Sequence, residues 1–110
     1  MKLTGLPTGV TDWSTLDTSS QAGATGLAVI RGRSAGDAQL RLVDYSAGYT
    51  ADHWCHKGHV VLVIAGTLTI AHEDGRSYEL ARGMAYHVSD NEGSPHRVTS
   101  QDGASVFIFD

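Results

Sequence analysis

The chain has 110 residues, of which 41% are hydrophobic and 18% charged, with a formal net charge of -4. That is enough apolar material for one compact core and too little for two. The acidic balance has no basic cluster to set against it, which argues against nucleic acid or an anionic membrane surface as partner. The opening residues lack the apolar run of a signal peptide and no stretch is long enough to span a bilayer, so the expected location is cytoplasmic. A lone cysteine, Cys55, cannot form an internal disulfide and is expected to stay reduced.

In chain order, residues 1–23 read as an irregular arm rich in turn and cap formers, and residues 24–110 as a single barrel. Trp13, the one aromatic side chain of the arm, is expected to pack on the barrel or on a second subunit. Leu27 to Arg33 reads as a strand and Ser34 to Asp37 as a turn. Gln39 to Tyr45 alternates two dissimilar faces, with Arg41, Val43 and Tyr45 on one of them. Turned inward, Arg41 would offer a fork to a substrate carboxylate; turned outward, it is an ordinary sheet-face arginine. A third strand is expected to hold His53 and Cys55, and a fourth to run from His59 to Ala65 before Gly66 turns the chain. Thr67 to His72 and Arg76 to Leu80 form a hairpin around Glu73-Asp74-Gly75, since Asp-Gly is a strong hairpin signal. Met84 to Val88, His96 to Thr99 and Ser105 to Phe109 complete an all-β set. The run Val60 to Ile64 is apolar on both faces, so its outer face needs a cover, and a homodimer is the preferred one.

The chemistry concentrates in Asp52-His53-Trp54-Cys55-His56-Lys57-Gly58-His59 and, downstream, Ser94-Pro95-His96. On a regular strand His53 and Cys55 share a face, and His59 has the same parity unless Gly58 introduces a bulge. Sulfur and imidazole donors suit a transition metal and not calcium or magnesium. His53, Cys55, His59 and His96 are therefore the expected ligands. If Cys55 binds, three imidazoles and one thiolate close a tetrahedral zinc site; if not, three histidines leave positions open and Cys55 is a nucleophile or a redox-sensitive thiol. Zinc is the first choice of metal and iron(II) the second, with nickel, manganese and cobalt also compatible. Asp52 and Trp54 should face the other way. His56, His72 and His87 read as solvated or as lying behind the ligands. Among the tyrosines, Tyr86 is nearest the second histidine segment and is the pocket residue suited to acid–base work, if its strand turns it inward.

The spacing His53-x-Cys55-x3-His59-x6-Gly66 resembles the first cupin motif, with Cys55 in place of its second histidine and His59 in place of its glutamate. Gly83 through Ser89 to Gly93-Ser94-Pro95-His96 and Ser100 resembles the second, with a two-residue insertion and serines for its proline and asparagine. The segments YSAGYTADHWCHKGH, HEDGRSYELARGMAYHV and SPHRV resemble the small DHCW-motif cupins, over roughly Asp12 to Asp110. That resemblance implies a double-stranded β-helix, the jelly-roll barrel, with a metal inside. It leaves the reaction open, since cupins include dioxygenases, isomerases, lyases and binding proteins. The function expected is a metalloenzyme acting on a small polar metabolite in the barrel, by Lewis-acid or oxygen-dependent chemistry. The alternative is a non-catalytic module in which the metal stabilises the barrel or serves sensing.

Overall fold

The structure, a computed structural model, describes residues 3–91 and 93–110; the first two residues of the expected arm lie outside the described residues. The strands are β1 (Ser19–Ala22), β2 (Leu27–Ala35), β3 (Ala38–Tyr45), β4 (Tyr49–Thr50), β5 (His59–His72), β6 (Ser77–Ala81), β7 (Ala85–Val88), β8 (His96–Ser100) and β9 (Ala104–Phe109). All pairings are antiparallel. One sheet runs β1-β2-β3-β9-β5-β7 and the other β4-β8-β5-β6, so β5 belongs to both.

The shared strand corrects the expectation that Gly66 turns the chain. β5 is continuous, but its register shifts between Val63 and Ala65. Before the shift His59, Val61 and Val63 point inward; after it Leu68, Ile70 and His72 do. A bulge adds one residue and so exchanges the faces. Gly66 makes this possible: its φ is +75°, and a Cβ there would lie 2.2 Å from the Gly103 carbonyl oxygen. Only glycine takes that backbone conformation without strain at so close an approach.

Between the sheets lie Ala28, Val43, Val61, Val63, Leu68, Ile70, Leu80, Val106 and Ile108. On β9, Ala104, Val106 and Ile108 are buried while the residues between them are only half-buried, the period-two pattern of a strand with one face on a core. The Asp-Gly hairpin forms as expected, with Ala71 opposite Ser77. Ser34 and Ala35, expected in a turn, instead extend β2 and pair with Gln39 and Ala38. Within residues 1–23, Ser19–Ala22 is a strand paired with β2, where an irregular arm was expected. Polar turn-forming residues there are held by a neighbouring edge, a tertiary effect that local propensity does not carry. Trp13, in a short 3-10 turn capped by Asp12, packs edge-on against Phe107 at 6.2 Å on the outer face. Val60, Leu62 and Ile64 on the same face remain about 40% exposed. Among the described residues no helix is long and apolar enough to cross a membrane.

Candidate metal centre

The segment expected to be a strand through His53 and Cys55 is irregular. Residues 52 and 53 form a bend, and Cys55 makes one isolated bridge to β8. Its N–H donates to the His96 carbonyl at 2.7 Å and its own carbonyl accepts from the His96 N–H at 3.0 Å. The parity that placed His53 beside Cys55 therefore does not operate here. The polar run gains its hydrogen bonds elsewhere: the His56 carbonyl accepts from the Asn91 N–H, and the Gly58 N–H donates to Asp90 Oδ1 at 2.6 Å. Gly58 lies so close to the β7 end that a Cβ would be 2.7 Å from the Asp90 nitrogen.

The Cys55–His96 bridge continues to β5, where His96 is opposite His72. Residues directly opposite on neighbouring strands project to the same face, so Cys55, His96 and His72 form one inward row. His59, at the start of β5, closes on that row from the other sheet; its ring centroid is 5.0 Å from that of His96. The ligand atoms of Cys55, His59 and His96 all lie within 4.8 Å of one another. Cys55 Sγ is 3.6 Å from His59 Nε2 and accepts from the Lys57 N–H at 3.4 Å.

Hydrogen bonding separates the histidines by what their nitrogens are free to do. His72 is buried and fully engaged: Nδ1 is 2.9 Å from the Ser94 carbonyl oxygen and Nε2 is 2.8 Å from the Tyr86 hydroxyl. A carbonyl can only accept, so Nδ1 carries the proton, and in the neutral ring Nε2 accepts from Tyr86. Sequence reading left His72 undistinguished, because only the pairing of β5 with β8 sets it against His96. His96 Nε2, by contrast, is buried without a hydrogen-bond partner. Burial first, and the neighbouring His59, His72 and His56 next, push its pKa down to about 4, so the ring is neutral and able to donate a lone pair near pH 7. His59 Nδ1 is 2.8 Å from Asp110 Oδ2, which leaves Nε2 facing Cys55. Burial first, together with the Arg41 and Lys57 charges, lowers the His59 pKa more than the Asp110 hydrogen bond and charge raise it.

Asp110 went unremarked in the sequence, since nothing local marks it. Its side chain is only 1% exposed and also meets Arg41 Nη2 at 2.6 Å and Lys57 Nζ at 3.6 Å. Burial raises its pKa, but the His59 hydrogen bond and the Arg41 and Lys57 charges outweigh that and hold the carboxyl below its ordinary range. The arrangement is a carboxylate–histidine pair of the kind that fixes a metal ligand's tautomer.

The other expected site residues fall as follows. His53 lies outside the close group: it is largely exposed, with Nδ1 2.6 Å from Asp52 Oδ1, although it lines the same inner cavity. Trp54 is half-buried beneath the Arg97 guanidinium, 4.4 Å from the ring centroid. Tyr86 is turned inward, opposite Val61. Burial first and the neighbouring Tyr78 next raise its pKa.

Two spaces meet at this cluster. An inner cavity of about 150 Å³ is lined by Cys55, His59, His96, Arg41, Tyr45 and Tyr86, among others. An outer cleft of about 1050 Å³ is lined by His59, His72, Arg76, Tyr78, Tyr86 and Asp110, among others. His59 and Tyr86 line both and so mark the way from one to the other.

The donor set of one sulfur and two imidazoles fits a borderline-to-soft divalent metal, and the orphaned His96 Nε2 supplies a reason for one to be bound. The curled antiparallel barrel has the cupin fold, shared with several solved structures. A predicted oxalate decarboxylase from Thermotoga maritima is similar with a TM-score of 0.77 at 10% identity, over 92% of this chain and 96% of that one. Ectoine synthase from P. lautus is similar with a TM-score of 0.72 at 16% identity, over 93% of this chain and 76% of that one. A sugar phosphate isomerase of the cupin superfamily from Silicibacter pomeroyi gives 0.71 at 12% identity, over 92% and 74%. At such identities the likeness establishes the fold alone. No family model matches the sequence, and no curated protein matches it.

Proposed function

We propose that this chain is a small metal-dependent cupin enzyme of the DHCW type, acting on a small polar metabolite that passes from the outer cleft to the inner cavity. The observation that carries this reading is the buried, unpartnered His96 Nε2 beside Cys55 Sγ and His59 Nε2. Cys55, His59 and His96 hold the metal, zinc first and iron(II) second. His53 stands at the cavity wall, and rotation away from Asp52 would let it join these ligands. The Asp52 hydrogen bond favours the three-ligand form, which keeps a position for substrate. A metal so held supplies Lewis-acid polarisation of a substrate oxygen or, as iron, oxygen-dependent chemistry. A reduced thiol ligand fits the reducing cytoplasm.

Elemental analysis of protein purified without added metal tests the reading. About one zinc or iron per chain is expected, and a folded protein that contains no metal and refuses added zinc would remove its foundation.

Tyr86 is the acid–base residue of this proposal. Its hydroxyl proton is directed at His72 Nε2, so the phenol oxygen can take a proton from substrate while its own passes to the imidazole, and no bare phenolate is needed. Tyr86→Phe is expected to keep the full metal content and to slow turnover of any metabolite the wild type converts by about 100-fold or more. Unchanged turnover would discard the relay.

The ligands also tie the irregular segment 52–58 to β5 and β8. A metal that raises Tm while the protein turns over no substrate would favour the non-catalytic, metal-stabilised module instead.

The reading includes a homodimer joined through the outer face of Val60, Leu62 and Ile64, whose exposure supports it. Leu62→Lys is expected to shift the mass by light scattering from dimer to monomer with the barrel intact. A wild-type protein already monomeric at 100-fold dilution from a concentrated stock would end this part of the proposal.

A further inference from the structure

Two arginines, Arg41 and Arg97, line the inner cavity; both have a buried, unpartnered Nε, but the Arg97 guanidinium is stacked on Trp54, 4.4 Å from the ring centroid. Arg41 lies on β3 two residues from Val43, which is 2% exposed, so strand alternation turns the arginine inward. There it lines the cavity with Cys55, His59 and His96, and among the described residues no aspartate or glutamate lines that cavity. Arg41 Nη2 donates to Asp110 Oδ2 at 2.6 Å, the same oxygen that accepts from His59 Nδ1 at 2.8 Å, so the guanidinium and the ligand ring are held on one atom. Its Nε, however, is buried and has no acceptor. A buried guanidinium N–H is costly to leave unmet. Nor does Asp110 cancel the local charge, because Lys57 stands 3.6 Å from its other oxygen and makes two cations against one carboxylate. Ile108 and Val61 continue the row of Arg41 across its own sheet, Leu68 and Ile70 face it from the other sheet, and burial keeps the phenols of Tyr45 and Tyr49 protonated as neutral donors at pH 7.

We infer that Arg41 Nε is the subsite for the carboxylate of a short organic acid whose second oxygen faces Cys55, His59 and His96. This names the substrate class of the metal centre proposed above and rests on that reading. A cavity near 150 Å³ accommodates a molecule of roughly benzene size, about six non-hydrogen atoms. Lactate and pyruvate have that size and carry the carboxylate and the second oxygen on adjacent carbons. Arginine's planar fork suits a carboxylate.

The test is made at the atom concerned. The Arg41 Nε–Hε cross-peak is followed by ¹⁵N NMR in zinc-loaded protein, assigned by its loss in Arg41→Lys, during titration with L-lactate, D-lactate, pyruvate, lactamide and inorganic phosphate. A saturable shift is expected with at least one of the acids, with lactamide, the neutral isostere, at least tenfold weaker. Equal shifts from lactate and lactamide, tighter binding of phosphate than of every acid, or no response to any acid would overturn the subsite. If Arg41→Lys fails to fold, the cross-peak is assigned by through-bond correlation to the Arg41 backbone, and the lactate–lactamide comparison in wild-type protein still decides the matter. Repeating the titration after EDTA treatment separates the two readings. If zinc loads in full and no acid shifts the peak, the metal centre stands and the acid subsite falls. If zinc never loads but lactate still shifts the peak at least tenfold more tightly than lactamide, the subsite stands and the metal reading falls.

Discussion

His96→Ala is expected to weaken zinc binding by more than about 100-fold, beyond the 10–100-fold typical of losing only an outer partner of a ligand. Competition with a chromophoric chelator, followed by metal analysis of the gel-filtered protein, measures it. A second effect of opposite sign accompanies the first. In the metal-free protein His96 Nε2 is a buried polar atom without a partner, so its removal relieves an unmet desolvation cost. The variant without metal should therefore be nearly as stable as the wild type without metal, while the gain in Tm on adding zinc disappears. A histidine serving only as packing would behave in reverse, losing stability in both forms and leaving zinc affinity alone. His53→Ala provides the comparison, because its ring is held outward by Asp52 at 2.6 Å. Its zinc affinity should remain within a few-fold of wild type. Full zinc stoichiometry and affinity in His96→Ala would sink the three-ligand centre.

How far the sequence reaches depends on whether a residue's neighbours are local. The alternation along β3 and β9, the Asp74-Gly75 turn and the apolar faces of β5 are local patterns, and the barrel follows from them. The grouping of Cys55, His59 and His96 in space was also legible, the first two through spacing and the third through its proline-flanked position. The parity argument for His53 failed because it presumed a strand, whereas residues 52–58 make only one bridge to the sheet. Gly66 was visible as a break but not as a bulge, since its role depends on the Gly103 carbonyl that crosses it from a distant turn. His72 and Asp110 could not have been singled out: the first acquires its role by pairing across β5 and β8, the second by closing on His59 and Arg41 from the far end of the chain.

Asp110 is also where the second large effect is expected. Its carboxylate takes a proton donor from His59 and another from Arg41 on a single oxygen, with its side chain 1% exposed. Asp110→Ala removes both hydrogen bonds at once. The His59 ring then loses the hydrogen bond that keeps the proton on Nδ1, and the tautomer with Nε2 protonated, which cannot bind a metal through that atom, becomes accessible. Zinc affinity should fall about 10–100-fold. Stability should fall too, by roughly 2–3 kcal/mol, less than the 3–5 kcal/mol of a fully buried broken pair because Arg41 is 30% exposed. Asp110→Asn divides the two effects. The amide oxygen can still accept from His59 Nδ1, so the tautomer and most of the zinc affinity are kept, whereas the charge that faces Arg41 and Lys57 is lost and stability still drops. Zinc titration and thermal unfolding of the two variants place them on separate axes: Ala low on both, Asn low on stability alone. An Asp110→Ala protein that binds zinc as tightly as wild type would show that His59 needs no orienting partner, and the carboxylate would then be only the counter-charge of Arg41.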